Sequence, residues 1–562
     1  MLNLLALRIQ YALQELYKLD HPVKVSIPSK KAYGDLCCTV PLALSKTLSQ
    51  SPLKIAETLQ HFLSEEAEGL YETTVVAPGF LNFHLSPSSW QAILKGLCQG
   101  ELLSKTNQLV PLLIEYVSAN PTGDLHLGHG RGAVLGSTLA KIWRELGRSV
   151  ATEFYLNDAG EQIQKLGRSA WNIYTSKPTG KPTGKTNSSD DYPPELISPY
   201  LEALEAGEYD LASLTEIVKT RIISEQKKVL SGLKVDFDCW ISEKTDLHKT
   251  GKLADTLKLL EAADLTYEKD GALWLASTQL GDERDRVLLK SLEGDQTERK
   301  PTYLAGDIAY HLHKFERYPA LINLWGADHQ GQDISLKLAL KALGYDENQL
   351  QIIFLQLVSL MEKGKEVRMS KRAGTVITIE EVVERVGSDA FRLSMLLSHA
   401  NHRLIFDLDL AQRQDEQNPV FYLQYSHARA CGILRHASEE SHFDGTMNEL
   451  ALKFKEISFD QIGLIIAEDL ETEEKEATCD LLIRLLFFDS EVHNAAETSN
   501  PSQIVHYLIE LARLFHSFYG HCRVVQKDKL ALSLARLRLV DAFRRIMHKG
   551  LDLLLVSAPE RM

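Results

Sequence analysis

A β-rich apolar run, PLLIEYVS (111–118), passes directly into ANPTGDLHLGHGRG (119–132) and then into a helical pattern over 133–146. Strand, Gly/Pro-rich turn and helix start, in that order, open an α/β unit. The turn carries His126-Leu127-Gly128-His129. A helix start offers unpaired N–H groups and the positive end of the helix dipole, which suits a phosphate. Gly128 has no Cβ, so a flat ring or a phosphate can approach its backbone. The imidazoles of His126 and His129 can address the same phosphate from that turn.

Further strand-like segments, GALWLA (271–276), RVLLK (286–290), ALINLWG (320–326) and QIIFLQL (351–357), alternate with helical stretches, which predicts a mostly parallel sheet. The 562 residues exceed one compact domain and call for about three to four units. Ahead of the α/β unit, amphipathic helical patterns (2–19, 55–63) and the alternating Leu81, Phe83 and Leu85 of GFLNFHLS (79–86) predict a small α+β domain. SKTNQ (104–108) reads as the linker after it. From about 410 onward the pattern is helical throughout. SKPTGKPTGKTNSSDD (176–191) holds almost nothing apolar and reads as a solvated surface loop.

The formal charge is -14, so a chain that coats anionic polymers indiscriminately is excluded, and any nucleic-acid site must be a local patch. Residues 439–480 hold 13 acidic side chains against Lys453, Lys455 and Lys475, whereas 511–562 hold ten Lys/Arg against four Asp/Glu. The helices there, with Arg536, Arg538, Arg544 and Arg545 beside Phe518, Tyr519 and Phe543, fit an RNA-binding surface. Seven scattered cysteines without a CxxC spell neither a structural zinc site nor a disulfide framework, and no metal ligand set is expected. No run approaches 18 apolar residues, and LLIRLLFF (481–488) is far too short to span a bilayer. A soluble cytoplasmic protein with reduced thiols and no membrane contact is expected.

About 240 residues after the HxGH element comes a second signature, Gly364-Lys365-Glu366-Val367-Arg368-Met369-Ser370-Lys371-Arg372-Ala373-Gly374-Thr375. Its cations could neutralise the charge on a departing pyrophosphate. The two signatures resemble the HIGH and KMSKS elements of class I aminoacyl-tRNA synthetases. The chain is more closely similar to the arginyl-tRNA synthetases, through EYVSANPTGDLHLGHGRG (115–132), EFYLNDAGEQI (153–163), FDCWISE (237–243), YLAGDIAYHLHKFER (303–317), WGADHQGQ (325–332), RMSKRAGT (368–375), NPVFYLQYSHAR (418–429) and SAPERM (557–562). Arg368 and Arg372 depart from KMSKS at its first and last positions; Arg368 keeps the charge without the compact ammonium, and Lys371 is retained. A short HxGH nucleotidyltransferase, the rival reading, needs neither the first hundred residues nor the helical end.

The resemblance implies an α/β multidomain protein: an N-terminal α+β domain contacting the outer corner of the tRNA (1–105), a Rossmann-type parallel-sheet catalytic domain (106–410) and an α-helical anticodon-binding domain (411–562). It implies two-step ligation of L-arginine to tRNA(Arg) by a monomer, with ATP as substrate together with Mg2+. ATP would be held by Gly128, His126, His129, Met369, Ser370 and Lys371, with His126, His129 and Lys371 catalytic. Arginine would be held by Glu115, Asn120, Tyr303, Asp307 and His329. A guanidinium needs a fork of acceptors; Asp307 backed by Tyr303 would face it, and Glu115 with Asn120 the α-amino end, the reverse direction being the alternative. Activation that waits for bound tRNA is a further implication.

Overall fold

A computed structural model describes residues 1–175, 191–202, 204, 208–292, 299–367, 377–439, 459–467, 470–526 and 528–562. The KPTG segment and the Met369, Ser370 and Lys371 signature therefore lie outside the described residues, as does much of the acidic run.

The central sheet has five strands, all parallel, in spatial order Leu350–Leu355, Ala320–Gly326, Leu112–Glu115, Val150–Leu156, Cys239–Ser242. Numbered along the chain, that order is 5-4-1-2-3, a doubly wound nucleotide-binding sheet. Leu112–Glu115 is buried at every position and Ala320–Gly326 through its middle, Leu321 to Leu324, which is why both read as continuous apolar runs. The helix Leu127–Glu145 is the first crossover. It lies close on the strand end because Gly136 has no side chain: a Cβ there would sit 2.2 Å from the Tyr116 ring. The strand order reverses between Leu112–Glu115 and Ala320–Gly326, and in such sheets ligands bind in the crevice at the carboxyl ends beside that reversal.

Two segments expected in this sheet are elsewhere. Ala272–Leu275 and Arg286–Leu289 belong to a separate antiparallel three-stranded sheet with Thr266–Lys269. Conversely, Val150–Leu156, inside the sheet and interrupted by polar residues, and the four-residue edge strand Cys239–Ser242 do belong to it.

The first hundred residues form an antiparallel sheet ordered Val25–Ser26, Leu36–Cys38, Phe80–Leu85, Tyr71–Val76, packed with the helices Leu2–Tyr17, Val40–Leu48 and Pro52–Glu65, while Pro87–Gln99 packs on Thr472–Leu486 and Leu530–Leu553. The alternation at Leu81, Phe83 and Leu85 buries all three, as expected. Past Ala411, the described residues contain only helices, among them Pro419–Glu439, Thr472–Leu486, Ser502–His521 and Leu530–Leu553. No helix among the described residues is long and apolar enough to cross a membrane.

Candidate active site

His126 is the N-cap of the helix Leu127–Glu145. Gly128 N donates to His126 Nδ1 and His126 N donates to His129 Nδ1, each at 3.2 Å. The rings stack with centroids 3.7 Å apart. Since both Nδ1 atoms accept, each neutral imidazole carries its hydrogen on Nε2. The helix start thus presents two imidazole donors together with its own N–H groups, a composite anion site.

The first described residues of the basic signature, Lys365–Val367, pair antiparallel with Val358–Glu362. The chain returns at Thr378, which bridges His126, and Ile379 N donates to Leu125 O at 2.9 Å. Arg131, in the first turn of the same helix and 1% exposed, donates to the carbonyls of Gln356, His399 and His402, tying that helix to the end of the fifth strand.

Next to the HxGH turn lies a concentration of carboxylates. Glu115 ends the first strand and is buried. The backbone just beyond it is strained: Val117 (φ 70°) and Ser118 (φ 43°) are consecutive left-handed residues, costly for a β-branched side chain. That kink brings Ser118 Oγ back to donate to Glu115 Oε1 at 2.7 Å. Lys314, fully buried on the helix Tyr303–Phe315, donates to Glu115 Oε2 at 2.5 Å. Asp307 lies on the same helix, partly buried; Glu243 opens the turn after the third strand. Removal from water, reinforced by the charges of Glu115 and Glu243 and only partly offset by Lys314, raises the Asp307 carboxyl to about 7. Burial, together with Glu243, Asp307 and Glu115, also pushes the Tyr155 hydroxyl well up. Glu153, by contrast, is neutralised by a bidentate Arg317 (2.7 and 3.2 Å) and accepts from Tyr310. Glu115, Asp307 and Glu243 thus gather at the carboxyl edge of the sheet, with Lys314 the buried cation on Glu115 and His248 3.3 Å from Glu243, a carboxylate-rich environment that a cationic ligand relieves.

The other expected contacts have mixed placements. Asn120 lies in the turn after the first strand, its amide donating to Gln162 at 2.9 Å. Tyr303 shares a helix face with Asp307, one turn earlier, but is 71% exposed. His329 is exposed, just past the end of the fourth strand, with Nδ1 3.3 Å from Gln332 Oε1. Glu243, Tyr155 and Lys314 lie in segments similar to the arginyl-tRNA synthetases, yet nothing local in the sequence marks their part in the site; a buried lysine is invisible until the fold surrounds it.

The expected RNA surface needs correction. Arg536 is fully buried, donating to Arg523 O at 2.9 Å and pairing with Glu474 at 3.1 Å; Arg538 is 3% exposed. Arg545 donates to the carbonyls of Leu97, Cys98 and Gly100 and so caps the last helix of the N-terminal part. Arg544 pairs with Asp541 on its own helix. Arg536 and Arg545 join helices; the amphipathic pattern could not tell an interior contact from a surface stripe. An open cavity of about 1110 Å³ lies instead among Tyr425, Arg429, Arg435, Tyr519, Arg523 and Arg561. The Arg429 guanidinium stands 4.6 Å from the Tyr519 ring centre and 5.7 Å from that of Tyr425.

A five-stranded parallel sheet of this order, with an HxGH helix start at its switch point and the chain after the basic signature packed beside it at Thr378, defines a class I aminoacyl-tRNA synthetase. Residues 3–85 match the arginyl tRNA synthetase N terminal domain, and residues 423–562 the DALR anticodon binding domain. Arginine–tRNA ligase from Lawsonia intracellularis is 38% identical over 554 residues, 96% of this chain and 95% of that protein. The Aquifex aeolicus arginine–tRNA ligase is 35% identical, with 99% of both chains covered. Among solved structures, Thermus thermophilus arginyl-tRNA synthetase superposes with a TM-score of 0.77 at 23% identity over the whole of both chains. A putative arginyl-tRNA synthetase from Campylobacter jejuni reaches 0.69 at 31% identity, over 85% of this chain and all of that one. The chain belongs to the arginine–tRNA ligase family.

Proposed function

We propose that this enzyme, an ATP-dependent arginine–tRNA ligase of translation, activates arginine at the carboxyl edge of the parallel sheet between the HxGH helix start and the Glu115/Asp307/Glu243 carboxylates. The observation that carries the residue assignment is the carboxylate excess there, which calls for a ligand with cationic groups at a phosphate-binding helix start. Asp307, backed by Tyr303, takes the guanidinium; Glu115 and Asn120 take the α-amino group; His329 closes the far side at the end of the fourth strand.

The arginine carboxylate oxygen attacks the α-phosphorus of ATP, the bond to the β-phosphate oxygen breaks, and arginyl-adenylate and pyrophosphate form. His126 and His129, through Nε2–H, and the N–H groups around Gly128 stabilise charge on the α-phosphate. Lys371, Ser370 and Met369, a few residues before Thr378 in the sequence, serve the pyrophosphate side. Mg2+ enters with ATP as its counter-ion. A terminal ribose hydroxyl of tRNA then attacks the carbonyl carbon and releases AMP. Acceleration comes from positioning and preorganised charge, without a covalent enzyme intermediate.

The tyrosine- and arginine-lined cavity of the helical part takes over from Arg536 and Arg538 as the tRNA anticodon contact, since aromatic faces and guanidinium planes stack unpaired bases. The three parts divide near 105 and 410, and the first contacts the outer corner of the tRNA. The chain works as a cytoplasmic monomer; its cysteines, all free, suit a reducing compartment.

Arginine-dependent ATP–pyrophosphate exchange, with and without tRNA, tests this reading. Exchange with arginine and tRNA that is lost in Lys371→Ala supports it. No exchange with arginine, while tRNA still binds, overturns it.

A further inference from the structure

The Glu115 carboxylate and the backbone carbonyl of Asp307, on the helix turn that carries the other assigned carboxylate, are joined by an unbroken chain of hydrogen bonds whose direction is fixed at every link. Because a carbonyl can only accept, His311 donates through Nδ1–H to Asp307 O at 2.7 Å. Its Nε2 must then accept, and does so from Asn323 Nδ2 at 2.6 Å. The Asn323 amide is thereby oriented with Oδ1 toward Lys314, whose Nζ donates to it at 3.1 Å and to Glu115 at 2.5 Å. Ser118 Oγ completes the other side of Glu115 and accepts from Tyr155 N at 3.2 Å. His311, Lys314, Asn323 and Glu115 are all buried, and burial beside Lys314 keeps His311 neutral, consistent with the single-hydrogen ring that the chain requires.

We propose that Lys314, Asn323 and His311 are positioning residues that act as a strut, fixing the separation and the charge of Glu115 relative to the helix turn that carries Asp307, and so setting the length and cationic character of the amino acid accepted. The inference rests on the arginine site proposed above. A flexible pair of carboxylates would adapt to lysine or to a shorter guanidino acid; a pair held by a rigid chain leaves one of its members unpaired with either. Lys314 also has an electrostatic part. The charged and titratable groups around Asp307 are Glu115 on the first strand, Tyr155 and the Arg317-paired Glu153 on the second, Glu243 with His248 after the third, and Tyr310, His311 and Lys314 on its own helix. Lys314 is the cation whose charge lowers the Asp307 carboxyl.

The test measures KM for arginine and for ATP, and the pH profile of arginine kcat/KM, in the full-length enzyme with tRNA, for Asn323→Leu and Lys314→Met. Asn323→Leu keeps the Lys314–Glu115 pair and cuts the strut. It is expected to raise KM for arginine by about 10-fold with KM for ATP unchanged, and to narrow the preference for arginine over 2-amino-4-guanidinobutyrate. Lys314→Met is expected in addition to displace the acid limb of the profile toward alkaline pH by about one unit, a 10-fold change in affinity at fixed pH. Should Lys314→Met not fold, Asn323→Leu decides alone. Folded variants in which the two KM values move together, or in which neither KM nor preference changes, overturn the inference. Wild-type enzyme that activates arginine normally beside such variants refutes the strut alone, whereas wild-type enzyme that activates no arginine refutes the site on which it rests.

Discussion

Protons should compete with arginine for this enzyme. Asp307 titrates at about 7 in the empty site, because it is withdrawn from water beside Glu115 and Glu243. A bound guanidinium favours the ionised form, so affinity must rise with pH until the carboxyl is fully charged. Treating the protonated form as incompetent, apparent KM scales as 1 + 10^(pKa − pH). That is about 11-fold above the plateau at pH 6, about 2-fold at pH 7 and about 1.1-fold at pH 8. The assay is initial-rate aminoacylation with saturating ATP and tRNA, from pH 5.5 to 8.5, varying arginine, with KM for ATP followed in parallel as a control. Asp307→Asn should lose most of the affinity and flatten what dependence remains. A KM for arginine that is constant from pH 6 to 8, or one whose pH dependence survives in Asp307→Asn, refutes the assignment of Asp307 as the guanidinium acceptor.

The same shift has a stability consequence of opposite sense. A carboxyl whose folded value is raised favours the fold below its unfolded value near 3.8, and that contribution is lost as pH rises to about 7, so Asp307→Asn should raise Tm of the empty enzyme at pH 8 and not at pH 4, by differential scanning calorimetry. Arg536→Ala should lower stability by about 3 kcal/mol in urea titration, leaving Glu474 unpaired, rather than act on tRNA affinity alone. Tyr519→Ala should weaken tRNA binding by about 1–3 kcal/mol in a filter-binding assay, with tRNA-independent substrate affinities unchanged.

How much of this was legible beforehand follows from what each residue does. The strand–turn–helix unit around His126 could be read directly, because each of its elements has its own local signal: an apolar run, a Pro/Gly turn, a helical period. The helical end could be read for the same reason. Strands Val150–Leu156 and Cys239–Ser242 could not, since Glu153 and Ser242 are polar for the sake of Arg317 and Asp158 across the fold. Ala272–Leu275 looked like a parallel-sheet strand because local apolarity says nothing of the partner strand's direction. Glu115 was picked out through a resemblance, yet its Lys314 partner is 199 residues away and no periodicity connects them. The basic C-terminal helices misled for a related reason: Arg536 and Arg545 spend their charges on Glu474 and on carbonyls of the N-terminal part, partners that composition cannot display.

The most direct test of the central claim is a structure with a non-hydrolysable arginyl-adenylate analogue. The guanidinium should lie on Asp307, the α-amino group at Glu115 and the phosphate mimic between His126 and His129 at the helix start. A ligand bound in the reverse direction, or seated away from the carboxyl edge of the sheet, contradicts it.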